Sequence, residues 1–233
     1  MRSRLASAWV AVLVGVVLLG APTRGEAVVR VLEQNVPFNN YWSGWSTDLV
    51  NLTGGQTLVI QSINVQAALS GAPAGIYSIK VFSRPGTSVG FEGSSAGWTL
   101  AGEIQADITA GFPTVLLFEV PLTTPFTIGP GGTAGLYAVA NDGVDESVRL
   151  VGTLGVGNTE TNDGTLRINN APGRWVNGYF GGVIFPGENV MPQLRVTYDS
   201  PVEAIPTLGR EGLLALVLLL ALAGAVLVRR LMA

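Results

Sequence analysis

Hydrophobic and polar residues alternate along short stretches in the middle of the chain. In the segment Gln193–Tyr198 every second residue is apolar, namely Leu194, Val196 and Tyr198. The segment Tyr77–Phe82 alternates in the same way, with Tyr77, Ile79 and Val81 on one face. A period of two residues is typical of strands that are buried on one side. The pattern therefore predicts antiparallel strands, and it predicts that Val196 points inward and Thr197 outward.

Further strand candidates recur at short intervals between residues 28 and 200. Turn-forming sequences separate them, among them Asn162-Asp163-Gly164 and Ala171-Pro172-Gly173. About ten short strands without an amphipathic helix predict an all-β fold, an antiparallel β-sandwich or jelly-roll-like domain over residues 28–200. The remaining candidates are Val28–Glu33, Thr57–Gln66, Trp98–Asp107, Thr114–Val120, Gly135–Ala140, Ser147–Gly152, Thr165–Asn169 and Tyr179–Phe185.

The first 27 residues have the pattern of a secretory signal peptide. Arg2 and Arg4 supply a positive start, and the stretch Leu5–Leu19 is apolar and uncharged. Gly25-Glu26-Ala27 fits the small-x-small cleavage pattern, and Leu19-Gly20-Ala21 is a weaker alternative. We therefore expect export, with cleavage before the β domain.

Residues 201–233 have the pattern of a sorting tail with a membrane anchor. The stretch 213–228 carries no charge, and it would span roughly 24 Å as a helix. That length is near the lower limit for crossing a bilayer. Arg229 and Arg230 follow and favour a cytoplasmic C-terminus. The alternative, a buried core helix, would leave no polar side for water.

The tail resembles the IPTL-CTERM sorting domains of bacterial surface proteins. The resemblance rests on a short motif, the apolar run and the basic end; the matching residues are Ile205, Pro206, Thr207, Leu208, Gly212, Arg229 and Arg230. The family places a tryptophan before the final glycine, where this chain has Glu211. The resemblance implies an exosortase-like enzyme as a partner, which would cut near the motif, and a location at the bacterial cell envelope or surface.

Composition limits the chemistry that the domain can perform. The whole chain contains no cysteine and no histidine. Disulfides, thiolate metal sites and a Ser-His-Asp triad are therefore excluded. Residues 28–200 carry seven basic and thirteen acidic side chains, a net charge of −6, without a basic patch. Nucleic acid is therefore not an expected partner.

Two stretches combine aromatic rings with amides and hydroxyls, as sugar-binding faces do. They are 37–46 and 174–180, and the candidate glycan-binding residues in them are Tyr41, Trp42, Trp45, Trp175 and Tyr179. The alternative is that these tryptophans fill the interior of the sandwich. This alternative carries the larger weight, because aromatic residues dominate small β cores.

Acidic turns raise the question of calcium. The loop 141–146 contains Asp142, Asp145 and Glu146, and a second loop spans 160–164. Carboxylate and carbonyl oxygens in a loop can supply several calcium ligands, although the spacing is not that of an EF-hand. The alternative is a tight Asn-Asp-Gly turn. We expect no other cofactor.

The run Gly75–Glu92, followed by Trp98–Gly102, resembles secreted bacterial β-sandwich modules that precede sorting tails and that carry no established activity. We therefore expect a secreted, envelope-anchored and non-catalytic surface protein that acts in adhesion, in a matrix or as a structural component. The first alternative is a carbohydrate-binding module that would bind a surface polysaccharide. The second is an exported glycan hydrolase, which would need two facing carboxylates.

Overall fold

Antiparallel strands make up nearly all of the described chain. The computed structural model describes residues 27–35, 40–140, 148–154, 160–177, 180, 183–184, 190–201 and 217–221. Its strands are β1 (Ala27–Gln34), β2 (Asn40–Trp42), β3 (Gly44–Asn51), β4 (Leu58–Leu69), β5 (Gly75–Pro85), β6 (Thr99–Ile108), β7 (Leu116–Ile128), β8 (Thr133–Ala140), β9 (Val148–Leu154), β10 (Glu160–Asn162), β11 (Leu166–Asn177), β12 (Val183–Ile184), β13 (Val190–Pro192) and β14 (Leu194–Pro201).

The strands form two sheets, which together make an all-β, sandwich-like fold. Sheet 1 has the order β1-β14-β4-β9-β13, with β2 paired to β9 and β7 paired to β4. Sheet 2 has the order β10-β11-β3-β8-β5-β6, with β12 paired to β11. Every pairing between these strands is antiparallel, as the alternating pattern predicts.

One hydrophobic core joins the inner faces of the two sheets. In sheet 1, Val196 and Tyr198 of β14 are fully buried in it. In sheet 2, Ile79 and Val81 of β5 are buried in the same core. Thr197, between Val196 and Tyr198, is only half-buried and lies on the other face. The inward and outward positions predicted for the last strand are therefore confirmed.

The structure contains strands that the sequence pattern did not predict. The strand β3 lies partly inside the stretch 37–46. Alternation of apolar and polar residues does not reveal this strand, because polar residues such as Thr47 are buried in it. The buried Thr47 hydroxyl has a hydrogen-bond partner, because it donates to the carbonyl of Asn169 at 3.0 Å. The strands β2, β10 and β13 have three residues each, too few to show a period.

The predicted turn Ala171-Pro172-Gly173 is wrong. These residues lie within β11, which pairs with β3 on both sides of them. The pairing shifts register between Asn169 and Arg174. An irregularity of this kind takes extra residues out of the ladder without ending the strand, so turn-forming residues can occur inside it.

The sheets approach each other closely where β6 lies beside β7. A Cβ atom on Gly102 would lie 2.5 Å from the carbonyl oxygen of Pro121, so only glycine fits there. Next to it, the Thr123 hydroxyl donates to the carbonyl of Ala101 at 3.3 Å. These contacts place part of β7 over β6.

A buried side chain, Asn51, closes one end of the sandwich. Its amide donates to the carbonyls of Gln56, Ile128 and Gly129 at 2.7–3.0 Å. Its Oδ1 accepts from the backbone N–H and the hydroxyl of Thr53. The end of β3 in sheet 2 is thereby connected to the end of β7 in sheet 1.

The strands from Ala27 to Pro201 form one compact unit. Most of the predicted signal peptide and sorting tail lies outside the described residues, including Ile205, Pro206, Thr207, Leu208, Gly212, Arg229 and Arg230. Residues 217–221 form one helical turn in which Leu218, Leu219 and Leu220 are exposed. Within the described part of the chain, no helix has the length and apolarity that a membrane crossing requires.

The two faces of β14 should respond differently to a charge. Val196→Asp would place an unpaired carboxylate in the core and should destabilise the domain by more than about 3 kcal/mol. Thr197→Asp, on the half-exposed face, should change stability by about 1 kcal/mol or less. Thermal melts of the two variants measure the difference. Equal damage from both would mean that the outer face of sheet 1 is covered as well.

Candidate functional site

The candidate glycan-binding residues do not form one exposed face. The side chain of Trp45 is 0% exposed in the core between the sheets, so its ring cannot stack on a sugar. Tyr41 and Trp42 lie on β2, and Trp175 lies on β11 as the strand partner of Trp45. Tyr179 lies outside the described residues. For Trp45, the interpretation as an interior residue is therefore the one that fits.

Trp42 lies beside a cation. Its half-buried side chain packs against the core, and the Arg149 guanidinium lies 5.4 Å from the centroid of its ring. The two residues belong to neighbouring strands, because Trp42 pairs with Leu150 of β9. A cation over a tryptophan ring is attracted by the negative face of the ring. Among the glycan candidates outside the core, Trp42 is the one whose side chain the structure describes. One face of its ring is occupied by Arg149.

A second aromatic group lies on the outer face of sheet 2, and we call it the aromatic layer. It consists of Phe82, Trp98, Tyr137 and Phe180. The rings of Tyr137 and Phe180 stack with centroids 4.7 Å apart, and Phe82 meets Phe180 edge-on at 5.1 Å. Phe180 has a positive φ of 35°, which is uncommon for a bulky residue.

The aromatic layer extends to the surface through Arg84 and Phe91. The guanidinium carbon of Arg84 lies 3.1 Å from the centroid of the Phe91 ring and 5.7 Å from that of Trp98. The Trp98 indole N–H donates to the Phe91 carbonyl at 2.9 Å. Phe91 remains 43% exposed, with Leu100 and Val89 exposed to a similar degree. The result is a surface patch in which a cation, an aromatic ring and apolar side chains occur together.

A buried carboxylate holds the loop that carries this patch. Asp48, on the outer face of β3, is 3% exposed. It accepts from the Thr87 hydroxyl and from the Ser88 backbone N–H, both at 2.7 Å. Beneath the loop, a Cβ on Gly135 would lie 2.8 Å from the Ser88 nitrogen. The loop 86–98 therefore lies directly against the sheet at Ser88, and Thr87 and Ser88 are bonded to Asp48.

The sequence does not show that Asp48, Arg84 and Phe91 belong to one cluster. The individual positions are visible, since Arg84-Pro85-Gly86 is a turn sequence and Phe91 is an isolated aromatic residue in a polar loop. Their proximity depends on the pairing of β3, β8 and β5, which brings Asp48, Gly135 and Arg84 into one row across sheet 2. No local pattern along the chain reveals that row.

The acidic turn 160–164 has a structural role. Asp163 Oδ1 accepts from the backbone N–H groups of Thr165 and Leu166, both at 2.9 Å. Its Oδ2 accepts from the Tyr198 hydroxyl at 2.5 Å, which connects sheet 2 to the last strand of sheet 1. The calcium candidates Asp142, Asp145 and Glu146 lie outside the described residues. Within the described part, no group of three potential metal ligands is present.

The bond between Asp163 and Tyr198 shifts both pKa values. Burial alone would raise the pKa of Asp163, but hydrogen bonds from Tyr198, Leu166 and Thr165, together with the charge of Arg30, lower it overall. The pKa of Tyr198 is raised, first by burial and then by its bond to Asp163 and by the charge of that residue. The pair is therefore most stable with a charged carboxylate and a neutral phenol.

Comparison with known proteins identifies no family. No protein-family model matches this chain, and no curated protein does so. Solved structures show a low similarity, including the Gx strain of infectious bursal disease virus at 13% identity and a TM-score of 0.29, over 77% of this chain and 38% of that one. A CocE/NonD family hydrolase from Staphylococcus aureus has 7% identity and a TM-score of 0.28, over 76% of this chain and 35% of that one.

A third match, the VP2 subviral particle of infectious bursal disease virus, has 10% identity and a TM-score of 0.24, over 76% of this chain and 42% of that one. This chain spans less than half the length of each of these three structures. Scores this low support no argument about function.

The Asp163–Tyr198 bond predicts a specific dependence of stability on pH. Because the pKa of Asp163 is lowered on folding, its contribution is present above the unfolded value of about 4 and is lost as pH falls through the lowered value. Asp163→Asn keeps an acceptor but removes the titration. Melting temperatures from pH 7 down to pH 2 should therefore fall less steeply in this variant than in the parent chain. Asp107→Asn, an exposed acid on β6, is the control, and identical slopes for Asp163→Asn and the parent would contradict the prediction.

Proposed function

We propose that this chain is an exported, non-catalytic surface protein that its C-terminal tail holds at the bacterial cell envelope. In this proposal the β domain acts by adhesion or as a structural or matrix component. A signal peptide directs export, and an exosortase-like enzyme is the partner that recognises the tail. The membrane is the first site of attachment, before any transfer to a surface acceptor.

The observation that carries the proposal is the order of features in the tail. The motif Ile205–Leu208 precedes an uncharged stretch, 213–228, and two arginines follow near the end of the chain. The folded unit ends at Pro201, directly before this tail. In the described helical turn, Leu218 and Leu219 are 62% and 65% exposed, and such side chains are more stable in lipid than in water.

The pairing of the terminal strands supports display of the domain from a single attachment point. The strands β1 and β14 pair along their whole length, from Ala27 opposite Pro201 to Gln34 opposite Leu194. Cleavage at Gly25-Glu26-Ala27 would therefore leave β1 almost intact. The tail continues from the end of β14, so an anchored domain would be held at the edge that contains both termini. The opposite sheet, with its aromatic layer, would remain available for contact.

A second candidate function is carbohydrate binding through the exposed patch around Phe91. The observation that favours it is that the Phe91 ring is 43% exposed beside the Arg84 guanidinium. An exposed aromatic face can cover the apolar face of a pyranose, while a guanidinium donates to hydroxyl or carboxylate oxygens. Trp45 is a glycan-binding candidate in the sequence, but its side chain is buried. The exposed ring of Phe91 is therefore the candidate in its place.

The mature protein should lack both apolar terminal segments. Intact mass spectrometry on envelope fractions should find a chain without the stretch Leu5–Leu19 and without 213–228. The double variant Leu218→Arg, Leu219→Arg should appear in the medium, since each central arginine costs roughly 2.5–3.5 kcal/mol of insertion.

The matched control is Ile76→Arg, which alters an exposed residue of the β domain and should leave the protein at the envelope. Recovery of the full-length chain from the envelope would contradict processing. Envelope association of the double arginine variant would contradict anchoring by the tail.

The carbohydrate hypothesis is tested by a glycan array with a soluble fragment, residues 27–201, whose folding is first checked by circular dichroism. If the patch binds a glycan, Phe91→Ala should weaken that binding roughly tenfold through the loss of ring contact. Ile76→Ala, at an exposed apolar residue outside the patch, should change it little. An array without binding, or binding that Phe91→Ala leaves unchanged, would remove this candidate and leave the structural role.

A further inference from the structure

Seven strands of the described structure pair on one side only, and six of them have a feature that hinders further pairing. The strands β2, β10, β12 and β13 have two or three residues each, too few to hold another strand. The strand β7 contains Pro121 and Pro125 and shifts register against β4. The strand β6 shifts register against β5, and its Ala101 carbonyl already accepts from the Thr123 hydroxyl of β7. Short length, proline, irregular pairing and covering are the usual means by which proteins protect sheet edges.

The seventh strand, β1, is neither short nor irregular, and it contains no proline. It has eight residues without proline or lysine, and its pairing with β14 runs in one unbroken register. Three of its valines are exposed: Val28 by 46%, Val29 by 64% and Val31 by 54%. Exposed β-branched residues on a long, regular edge favour the addition of another strand, because the free backbone groups then gain partners.

We propose that β1 is an interaction surface for a second copy of this chain, which pairs through its own β1. The unequal protection of the edges leads to the choice of partner. Since the other single-partner strands are hindered, the edge that is complementary to β1 is the β1 of another copy. Such a contact is two-fold symmetric and uses each edge once, so it closes as a dimer rather than growing into a filament.

The charges on β1 are compatible with this pairing. Arg30 and Glu33 have opposite signs, so the strand is neutral, whereas residues 28–200 carry a net charge of −6. Glu33 already accepts from Arg195 at 2.9 Å, and Arg30 donates to the Thr165 hydroxyl at 3.4 Å. The paired strands therefore add no net charge repulsion of their own to that between the acidic domains.

The contact should be weak between free molecules. A pair of eight-residue strands buries less than the roughly 1,200–2,000 Å² of a stable interface. Attachment of many copies to one surface would raise their local concentration and favour pairing. The pairing itself does not require the anchor, so the two proposals can fail separately.

Because the chain has no cysteine of its own, cysteines introduced singly into the full-length chain can test this proposal. Single cysteines replace each residue of β1 from Ala27 to Gln34 in turn, and disulfide-linked dimers are measured after oxidation of the producing cells. Antiparallel two-fold pairing places one β1 position opposite its own copy, within the short Cα separation that a disulfide needs. Dimer yield should therefore peak at one position, about tenfold above that of Ile76→Cys, an exposed control outside β1.

A second arm tests whether strand pairing causes the peak. In a double variant, the cysteine that gives the highest dimer yield is combined with lysine in place of a neighbouring valine of β1. The dimer yield of this variant should fall to that of Ile76→Cys. The matched substitution Ile76→Lys should leave the yield unchanged. Thermal melts verify that the variants are folded. A flat yield across the eight positions, or a peak that survives the lysine, would overturn the proposal. A peak in cells that release the protein to the medium would show that pairing does not depend on the anchor.

Discussion

The architecture depends on the return of the last strand to the first. The strand β14 lies between β1 and β4, and it contributes Val196 and Tyr198 to the core. Because the chain has no cysteine, no disulfide can connect the two ends. Strand pairing and side-chain packing alone must offset the entropy of bringing residues 27 and 201 together. Most of the contacts in sheet 1 are therefore long-range, which predicts comparatively slow folding.

The two outer faces of the sandwich differ in what covers them. Sheet 2 carries the aromatic layer and the loop 86–98, which Asp48 holds in place. Sheet 1 has a half-exposed, mostly polar outer face on β14 and ends at the exposed valines of β1. A protein that is held at the edge of sheet 1 can present sheet 2 to other molecules. The proposal of a displayed domain and the carbohydrate hypothesis both use this difference between the two faces.

Local patterns predicted those parts of the fold that depend on local properties. Alternation identified the inward face of β14 and of β5, and turn residues identified the hairpin at Asn162-Asp163-Gly164. The strand β3 escaped detection because its buried Asp48 and Thr47 are stabilised by hydrogen bonds with distant residues rather than by apolar contacts. The burial of Trp45 and the clustering of Arg84 with Phe91 likewise depend on strand order, which periodicity does not encode.

Native-state hydrogen exchange tests most directly whether the last strand closes the fold. The amides of β14 pair with strands on both sides, so those of Val196 and Tyr198 should exchange only through global unfolding, with the same opening free energy as amides in the centre of β8. Amides on the free side of β1 should exchange faster. If β14 exchanged through a local opening while β8 stayed protected, the terminal strands would be an accessory to the fold, and the central role of β14 would be contradicted.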